Sequence, residues 1–518
     1  MKTAKFHRLT AVLSLVLVAV MLLTLVGCNG GNTEDPAGNT DDVSTTTAAA
    51  DATPSDEADT SETEPSATES TSATSQTGGN KVPTRPNGNG NGNGGNKTSK
   101  SQQSATATKP SINKDEDVLK QAKAAGLDGT KIKMMLWWTS GKDDKAEAAT
   151  FKKETGIEVS YETTAMNKYQ TQLASKVMAK NAPALAAIIN EWYPQPITRN
   201  LMQPIDNVKN WNFKDGDVYA LSLMDQFSYK GKHYGVALKG SNMTTFEVMF
   251  FNKSILKKSG IKQDPYQLWK AGKWNWDTCL DIAQQVQKKN SNVKGISNVG
   301  QYFWMLSAGE DFVKSTKAGL KNNVNASGVL NAWNWNWELI YDKKVIDTTY
   351  TGQTPFFQGK AAMLGAGSYM MQADSSHSNY VPQNMKPGSW GVVPFPSPAG
   401  KTYAACEGTI WGFPSGVTGD KLQAAAWYLR YFLDDYNYSA RDFYPTDECW
   451  EVMKWMWDQP IQSYNSVGIL TYGGEYTAYT IQYSLVDEAD TKAKLKANLD
   501  QWEGVLDANI KKIENELG

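Results

Sequence analysis

Lys131-Ile132-Lys133-Met134-Met135-Leu136-Trp137-Trp138, followed by Thr139-Ser140-Gly141, is the stretch from which the fold can be read. Its apolar run stops at small polar residues, which predicts a buried strand. Residues 144–155 then carry a helical pattern closed by Gly156, the residue that most readily ends a helix in left-handed backbone. Ile157-Glu158-Val159-Ser160-Tyr161 alternates as a second strand. Residues 169–180 place Leu173, Val177 and Met178 at helical spacing, and 184–189 is a third short apolar run. Strand, helix, strand, helix, strand predicts an α/β fold with a parallel sheet and helices packed on it. In such sheets ligands bind outside the carboxyl ends of the strands. That rule selects Trp138 through Ser140, and Asn190-Glu191-Trp192-Tyr193. Strand side chains alternate, so Trp138 is expected to face the site and Trp137 the core.

Further along, Lys230-Gly231-Lys232-His233-Tyr234-Gly235-Val236-Ala237 reads as a hairpin turn entering a strand, and residues 244–252 as another strand. The pattern after Asn252 is mainly helical, with loops rich in Trp and Gly, and residues 500–517 form a closing amphipathic helix.

The amino-terminal segment reads differently. Lys2, Lys5 and Arg8 precede an apolar run over 9–26 that ends in Leu25-Val26-Gly27-Cys28, the layout of a secretory signal over 1–27. Leu-Val-Gly-Cys resembles the bacterial lipobox, which implies acylation of Cys28 and a membrane-anchored chain held on the extracellular face by buried acyl methylenes. Residues 28–114 are Ser, Thr, Gly, Asn, Ala and charged residues with almost no large apolar side chains. Such a segment buries too little surface to offset its ordering entropy and is expected to be a disordered tether, with a root-mean-square span of roughly 50 Å.

The remainder, 115–518, is long enough for two lobes. The whole chain of 518 residues has a formal net charge of −2, and in this body acids and bases balance. A neutral body argues against nucleic acid, which requires a basic face. His233 and His377 are the only histidines beyond the leader, so no metal site and no cofactor is expected. Beyond Cys28 there are Cys279, Cys406 and Cys449, an odd number without Cys-x-x-Cys, which favours buried free thiols. No nucleophile-elbow, phosphate-loop or zinc-protease motif occurs, so no catalytic residue is assigned.

The order of segments resembles the family 1 extracellular solute-binding proteins, the maltose-binding type. The resemblance is carried by Phe151-Lys152-Lys153-Glu154-Thr155-Gly156-Ile157-Glu158-Val159, Lys232-His233-Tyr234-Gly235-Val236, Phe250-Phe251-Asn252-Lys253, Trp274-Asn275-Trp276-Asp277, Phe357-Gln358-Gly359-Lys360-Ala361-Ala362-Met363 and Gly391-Val392-Val393-Pro394-Phe395-Pro396. The chain departs from the family at Pro183-Ala184, where Pro-Asp is common, and at Val236-Ala237, where Pro usually follows the Gly. The resemblance implies a two-lobed periplasmic-binding-protein-like fold with a hinge and an interlobe ligand cleft. It divides the body into a first lobe over 131–245 and 389–433 and a second over 246–388 and 434–518. It also implies a monomer that passes an oligosaccharide or another small soluble ligand to the permease subunits of an ABC importer. A surface glycan receptor or sensor, and a glycan-degrading enzyme, stay open as alternatives.

Aromatics carry the case for a sugar, whose C–H face packs on Trp or Tyr while its hydroxyls take polar partners. Besides Trp138, Glu191 and Trp192, the resemblance places Trp304 where that family stacks sugars on the second lobe. Tyr369, after the glycines 365 and 367, and Trp411, after Glu407-Gly408-Thr409, lie near the expected return into the first lobe. Trp333, Trp335 and Trp337 cannot share one helix face and read mostly as packing residues, as do Trp450, Trp455 and Trp457.

Overall fold

The computed structural model describes residues 115–516 apart from 210, 242–243, 298–299, 349–351, 373–379, 436–440, 473 and 475. The leader, Cys28 and the tether lie outside the described residues.

The opening stretch forms the strand Lys131–Leu136, paired in parallel with Glu158–Thr163. The helix Lys142–Thr155 joins them. Asp144 accepts the Gly141 N–H at 2.7 Å at its start, and Gly156 takes φ 77° at its end. Met134 bridges in parallel to Leu185, which brings the strand Ala186–Ile189 alongside. Thr409–Pro414 then adds antiparallel to Ala186–Ile189 and to Met202–Gln203. The expected parallel unit is therefore present, extended by a strand from far down the chain. The helix Gly419–Asp435 packs on Lys131–Leu136 and on the helix Asp115–Ala124, tying the start of the body to this sheet.

A second sheet is built around Thr245–Asn252. One edge of this strand pairs antiparallel with Ala361–Gly367, which continues in parallel to Lys294–Ser297. The other edge is shared. Residues 248–252 take Trp390–Pro394, and residues 245–246 take the end of Ala404–Glu407. Ile461–Ser463 completes the sheet beside Ala404–Glu407. The sequence placed 389–433 wholly in the first lobe, but Trp390–Pro394 and Ala404–Glu407 both belong to the second sheet. The crossing back to the first sheet falls at Gly408, between Glu407 and Thr409. The physical reason is the length of Thr245–Asn252: eight residues accommodate two partners end to end on one edge.

Helix Trp276–Lys289 starts within the segment Trp274-Asn275-Trp276-Asp277. Asn275 Oδ1 accepts the Thr278 N–H at 3.0 Å and Thr278 Oγ1 accepts the Asn275 N–H at 3.0 Å, a reciprocal cap. The hairpin at 230–231 has φ 47° at Lys230 and 75° at Gly231, the two positive angles of a tight two-residue turn. The closing helix spans Lys492–Glu516, starting earlier than its apolar pattern suggested. Cys279, Cys406 and Cys449 are buried free thiols. Among the described residues no helix is long and apolar enough to cross a membrane.

Candidate functional site

The two sheets meet where Glu407, Gly408 and Thr409 pass from one to the other. Asn190, immediately after Ala186–Ile189, donates its backbone N–H to the Gly408 carbonyl at 3.0 Å. Its side-chain amide donates to the Tyr464 carbonyl at 3.2 Å. The carboxyl end of a first-sheet strand is thus fastened to the crossover and to the segment after Ile461–Ser463.

On the first-sheet side stands an aromatic group. Trp411 is fully buried, and Trp137 stacks on it at 5.6 Å between ring centroids and 13° between planes. Trp138 meets both edge-on, at 4.9 Å from Trp137 and 6.0 Å from Trp411. Trp192 is buried and stacks on Tyr169 at 4.8 Å. The expected split between an outward Trp138 and an inward Trp137 does not describe this geometry. The strand ends at Leu136, so pleat alternation stops there, and both indoles are half-buried.

On the second-sheet side, Tyr302 stacks on Tyr464 at 4.2 Å and 18°, and its hydroxyl donates to Glu407 Oε1 at 2.6 Å. Trp304, two residues on, is buried in the core against Trp276 and Phe395, and among the described residues its indole N–H has no hydrogen-bond partner. Within Tyr302-Phe303-Trp304 the structure therefore leaves Tyr302 partly exposed and covers Trp304. Tyr369 is 40% exposed. Gly367 makes that placement possible, because a Cβ there would stand 2.5 Å from the Tyr369 ring and 2.7 Å from Thr245 Cγ2. Trp333 stacks on Phe312 and Trp335 on Trp276, as packing residues.

Three carboxyl groups share this region. Glu407 and Glu191 are exposed, whereas Glu247 is only 5% exposed inside Thr245–Asn252. Phe246 packs edge-on to Trp457, so Glu247 leaves the opposite face of the strand, across from Gly367. Its carboxyl has no hydrogen-bond partner among the described residues. Burial pushes it well above the usual carboxylate range, and the charge of Glu407 adds to the rise. Partial burial and Glu407 also raise Glu191. Tyr302 and Tyr369 are raised too, first by burial and then by the charges of Glu407 and Glu247. Among the described residues no group of His, Cys, Asp and Glu is arranged to hold a metal ion. The backbone brings the three together at the crossover: Glu407 pairs with Thr245, two residues before Glu247, and Asn190, next to Glu191, is bonded to Gly408, next to Glu407.

An open cavity of about 640 Å³ lies elsewhere, between Thr198, Met202, Asn207, Lys232 and Gly416. It holds neither a stacked aromatic pair nor an unpartnered buried carboxyl, so the crossover region is the better candidate.

Of the residues singled out from the sequence, Trp138, Glu191 and Tyr369 lie near the crossover with exposed surface, whereas Trp192 is buried against Tyr169 and Trp411 is fully buried within Thr409–Pro414. Glu247, Tyr302, Glu407 and Tyr464 lie there too and were not singled out. One signal was available for Glu247, an acid inside the apolar run Thr245-Phe246-Glu247-Val248-Met249, since an unpaired buried charge is costly unless it has a use.

The model of the bacterial extracellular solute-binding protein family matches residues 146–442. The chain belongs to that family. Its fold is that of the two-lobed binding proteins. The sugar-binding protein MalE of Xanthomonas citri superposes with a TM-score of 0.57 at 14% identity, covering 74% of this chain and 98% of that one. The galacto-N-biose/lacto-N-biose I-binding protein of an ABC transporter from Bifidobacterium longum gives 0.55 at 14% identity, with the same coverage of 74% and 98%. A Brucella abortus chain whose name describes a binding protein is 22% identical over 338 residues, 62% of this chain and 76% of its own length.

The close fit at the crossover makes one prediction. Gly468, in the helix Ser466–Leu470, faces the turn at 190–193. A Cβ there would stand 2.0 Å from the Tyr193 carbonyl oxygen and 2.9 Å from that of Glu191. Both contacts are with backbone, so Gly468→Ala must push helix and turn apart. It should cost roughly 1–3 kcal/mol in urea unfolding; an unchanged midpoint would show that the two segments separate freely.

Proposed function

We propose that this solute-binding protein captures a saccharide, an oligosaccharide in particular, at the crossover between its two sheets and delivers it to the permease subunits of an ABC importer. The observation that carries the reading is the convergence of partly exposed aromatic faces and hydrogen-bond acceptors from both sheets. Trp138 and Glu191 come from the first; Tyr302, Tyr369 and Glu407 come from the second. Such pairing suits a sugar, with an apolar ring face and hydroxyl donors at its rim. Hinge closure of the two lobes would bring the two halves onto the ligand. In this reading Cys28 carries the lipid anchor on the extracellular face, residues 28–114 act as the tether, and the two lobes follow the two sheets. The binding properties of the Xanthomonas and Bifidobacterium proteins support the assignment of a sugar.

The test is a calorimetric titration of the full-length chain against a panel of neutral and amino oligosaccharides. At least one should bind, and the absence of binding to any of them would overturn the reading. With a binding glycan in hand, Trp138→Ala should lose on the order of 1–3 kcal/mol of affinity, roughly 5- to 150-fold, with little change in melting temperature. Trp137→Ala removes the ring stacked on Trp411 and should instead lower the melting temperature. A swap of these phenotypes would make Trp137 the ligand contact.

A further inference from the structure

Glu247 has a feature that general sugar capture does not use. It is a glutamate 5% exposed, with no hydrogen-bond partner for its side chain among the described residues, on the strand opposite Gly367, two residues before Tyr369. Glu407 pairs with Thr245, two residues before Glu247 on the same strand face, and Asn190, next to Glu191, is bonded to Gly408, so the three acids lie at one crossover; the charge of Glu407 raises both Glu247 and Glu191. Burial and acidic neighbours account for the rise of Glu191, Glu247 and Tyr369, with no lysine or arginine opposing it among the described residues. The cluster therefore lacks a counter-charge of its own, and it is not arranged for a metal ion. A carboxyl buried without a partner, as at Glu247, is held neutral and favours ionisation only when a cation is brought to it.

Building on the saccharide reading, we propose that the ligand is an unacetylated amino sugar whose ammonium group is taken up among Glu191, Glu247 and Glu407 while its ring lies against the partly exposed aromatic faces. A sugar hydroxyl offers a single donor and no charge, and it leaves the repulsion between the acids in place. An ammonium offers three donors and a positive charge. It can also be drawn to the faces of Tyr302 and Tyr369. The aromatic residues account for the ring, and the acids account for the amine.

Proton linkage follows from the same geometry. Glu247 is faced by Glu407, Tyr302, Tyr369 and the thiol of Cys406, and Glu191 by Glu407 and Tyr464. None of these groups is cationic. In the free protein Glu247 and Glu191 hold their protons to higher pH than ordinary carboxyls. Binding an ammonium favours their ionised forms, so it should release protons, and affinity should rise with pH while the amine stays charged.

The experiment is calorimetric titration of the full-length chain with a glucosamine tetramer, its N-acetylated counterpart, maltotetraose and spermidine, each in two buffers of different ionisation enthalpy. The glucosamine tetramer should bind at least about tenfold more tightly than the N-acetylated one, a difference of about 1.4 kcal/mol, and with proton release. Glu247→Gln should shrink that preference to within about threefold. If Glu247→Gln does not fold, Glu191→Gln, at an exposed position, should reduce it instead. Equal or tighter binding of the N-acetylated tetramer or of maltotetraose overturns the amine requirement and leaves saccharide capture standing. A preference that survives both substitutions also overturns it. Spermidine bound without any saccharide, or no binding at all, overturns both.

Discussion

Trp411→Ala is expected to lower the stability of the folded chain by about 3–5 kcal/mol, the usual cost of emptying a buried aromatic site. Trp411 is fully buried, with Trp137 stacked on one face, Trp138 at its edge and Phe432 edge-on at 5.5 Å. It also lies in the strand Thr409–Pro414, which pairs with Ala186–Ile189 and bridges Val236. Its removal would loosen the first sheet next to the crossover. Trp411→Phe separates packing from polarity. Among the described residues the indole N–H has no hydrogen-bond partner, so a phenyl ring loses volume but also removes an unsatisfied donor, and the net cost should stay under about 1.5 kcal/mol. Urea unfolding of both variants checks this. If Trp411→Ala instead unfolds like the parent and loses only ligand affinity, Trp411 belongs to the ligand surface.

Asp311 should make stability fall as pH rises through the weakly acidic range. It is 2% exposed and accepts from the Ser466 hydroxyl, the Ser466 N–H at 2.9 Å and the Phe312 N–H at 2.8 Å. Burial pushes its carboxyl up from an ordinary 3.8 to about 7, against the opposing effect of these donors. Between those values the unfolded chain has released the proton and the folded one still holds it. The folded state binds more protons there, so its stability declines with rising pH and levels off above about 7. The decline amounts to at most about 4 kcal/mol, because each tenfold difference in proton affinity between the two states is worth about 1.4 kcal/mol. Asp311→Asn keeps an oxygen acceptor and cannot titrate, so its stability should lack this contribution. Glu247 and Glu191 are also raised and tilt the profile in the same direction; the difference between parent and Asp311→Asn isolates Asp311. Parallel profiles for the two proteins would contradict the assignment.

Much of the first sheet was legible because its signals are local. The apolar run from Ile132 stops at Thr139-Ser140, and Gly156 closes the helix between the first two strands; the separate hairpin was marked by Lys230-Gly231, a turn that few residue pairs accept. The second sheet was poorly legible because its register is set by partners distant in sequence. Nothing local shows that Glu407 pairs with Thr245 or that Gly367 lies across from Glu247. The same gap explains the site. Trp304 was singled out as a sugar-stacking aromatic, but the short helix Phe303–Ser307 buries it in the core, and the neighbouring Tyr302 donates to Glu407 instead. The Trp137–Trp138 pair lies past the end of its strand at Leu136, where the alternation rule no longer decides which ring faces out. A boundary shift of this size is enough to change which side chain faces a ligand.

Hydrogen–deuterium exchange of the full-length chain, with and without its tightest-binding saccharide, tests the location of the site most directly. Bound ligand should protect peptides from both sheets at the crossover, those containing 137–141, 190–193, 301–304, 367–369 and 405–411. Protection confined to one of the two sheets, or centred on the open cavity beside Met202 and Lys232, would contradict a ligand held between them.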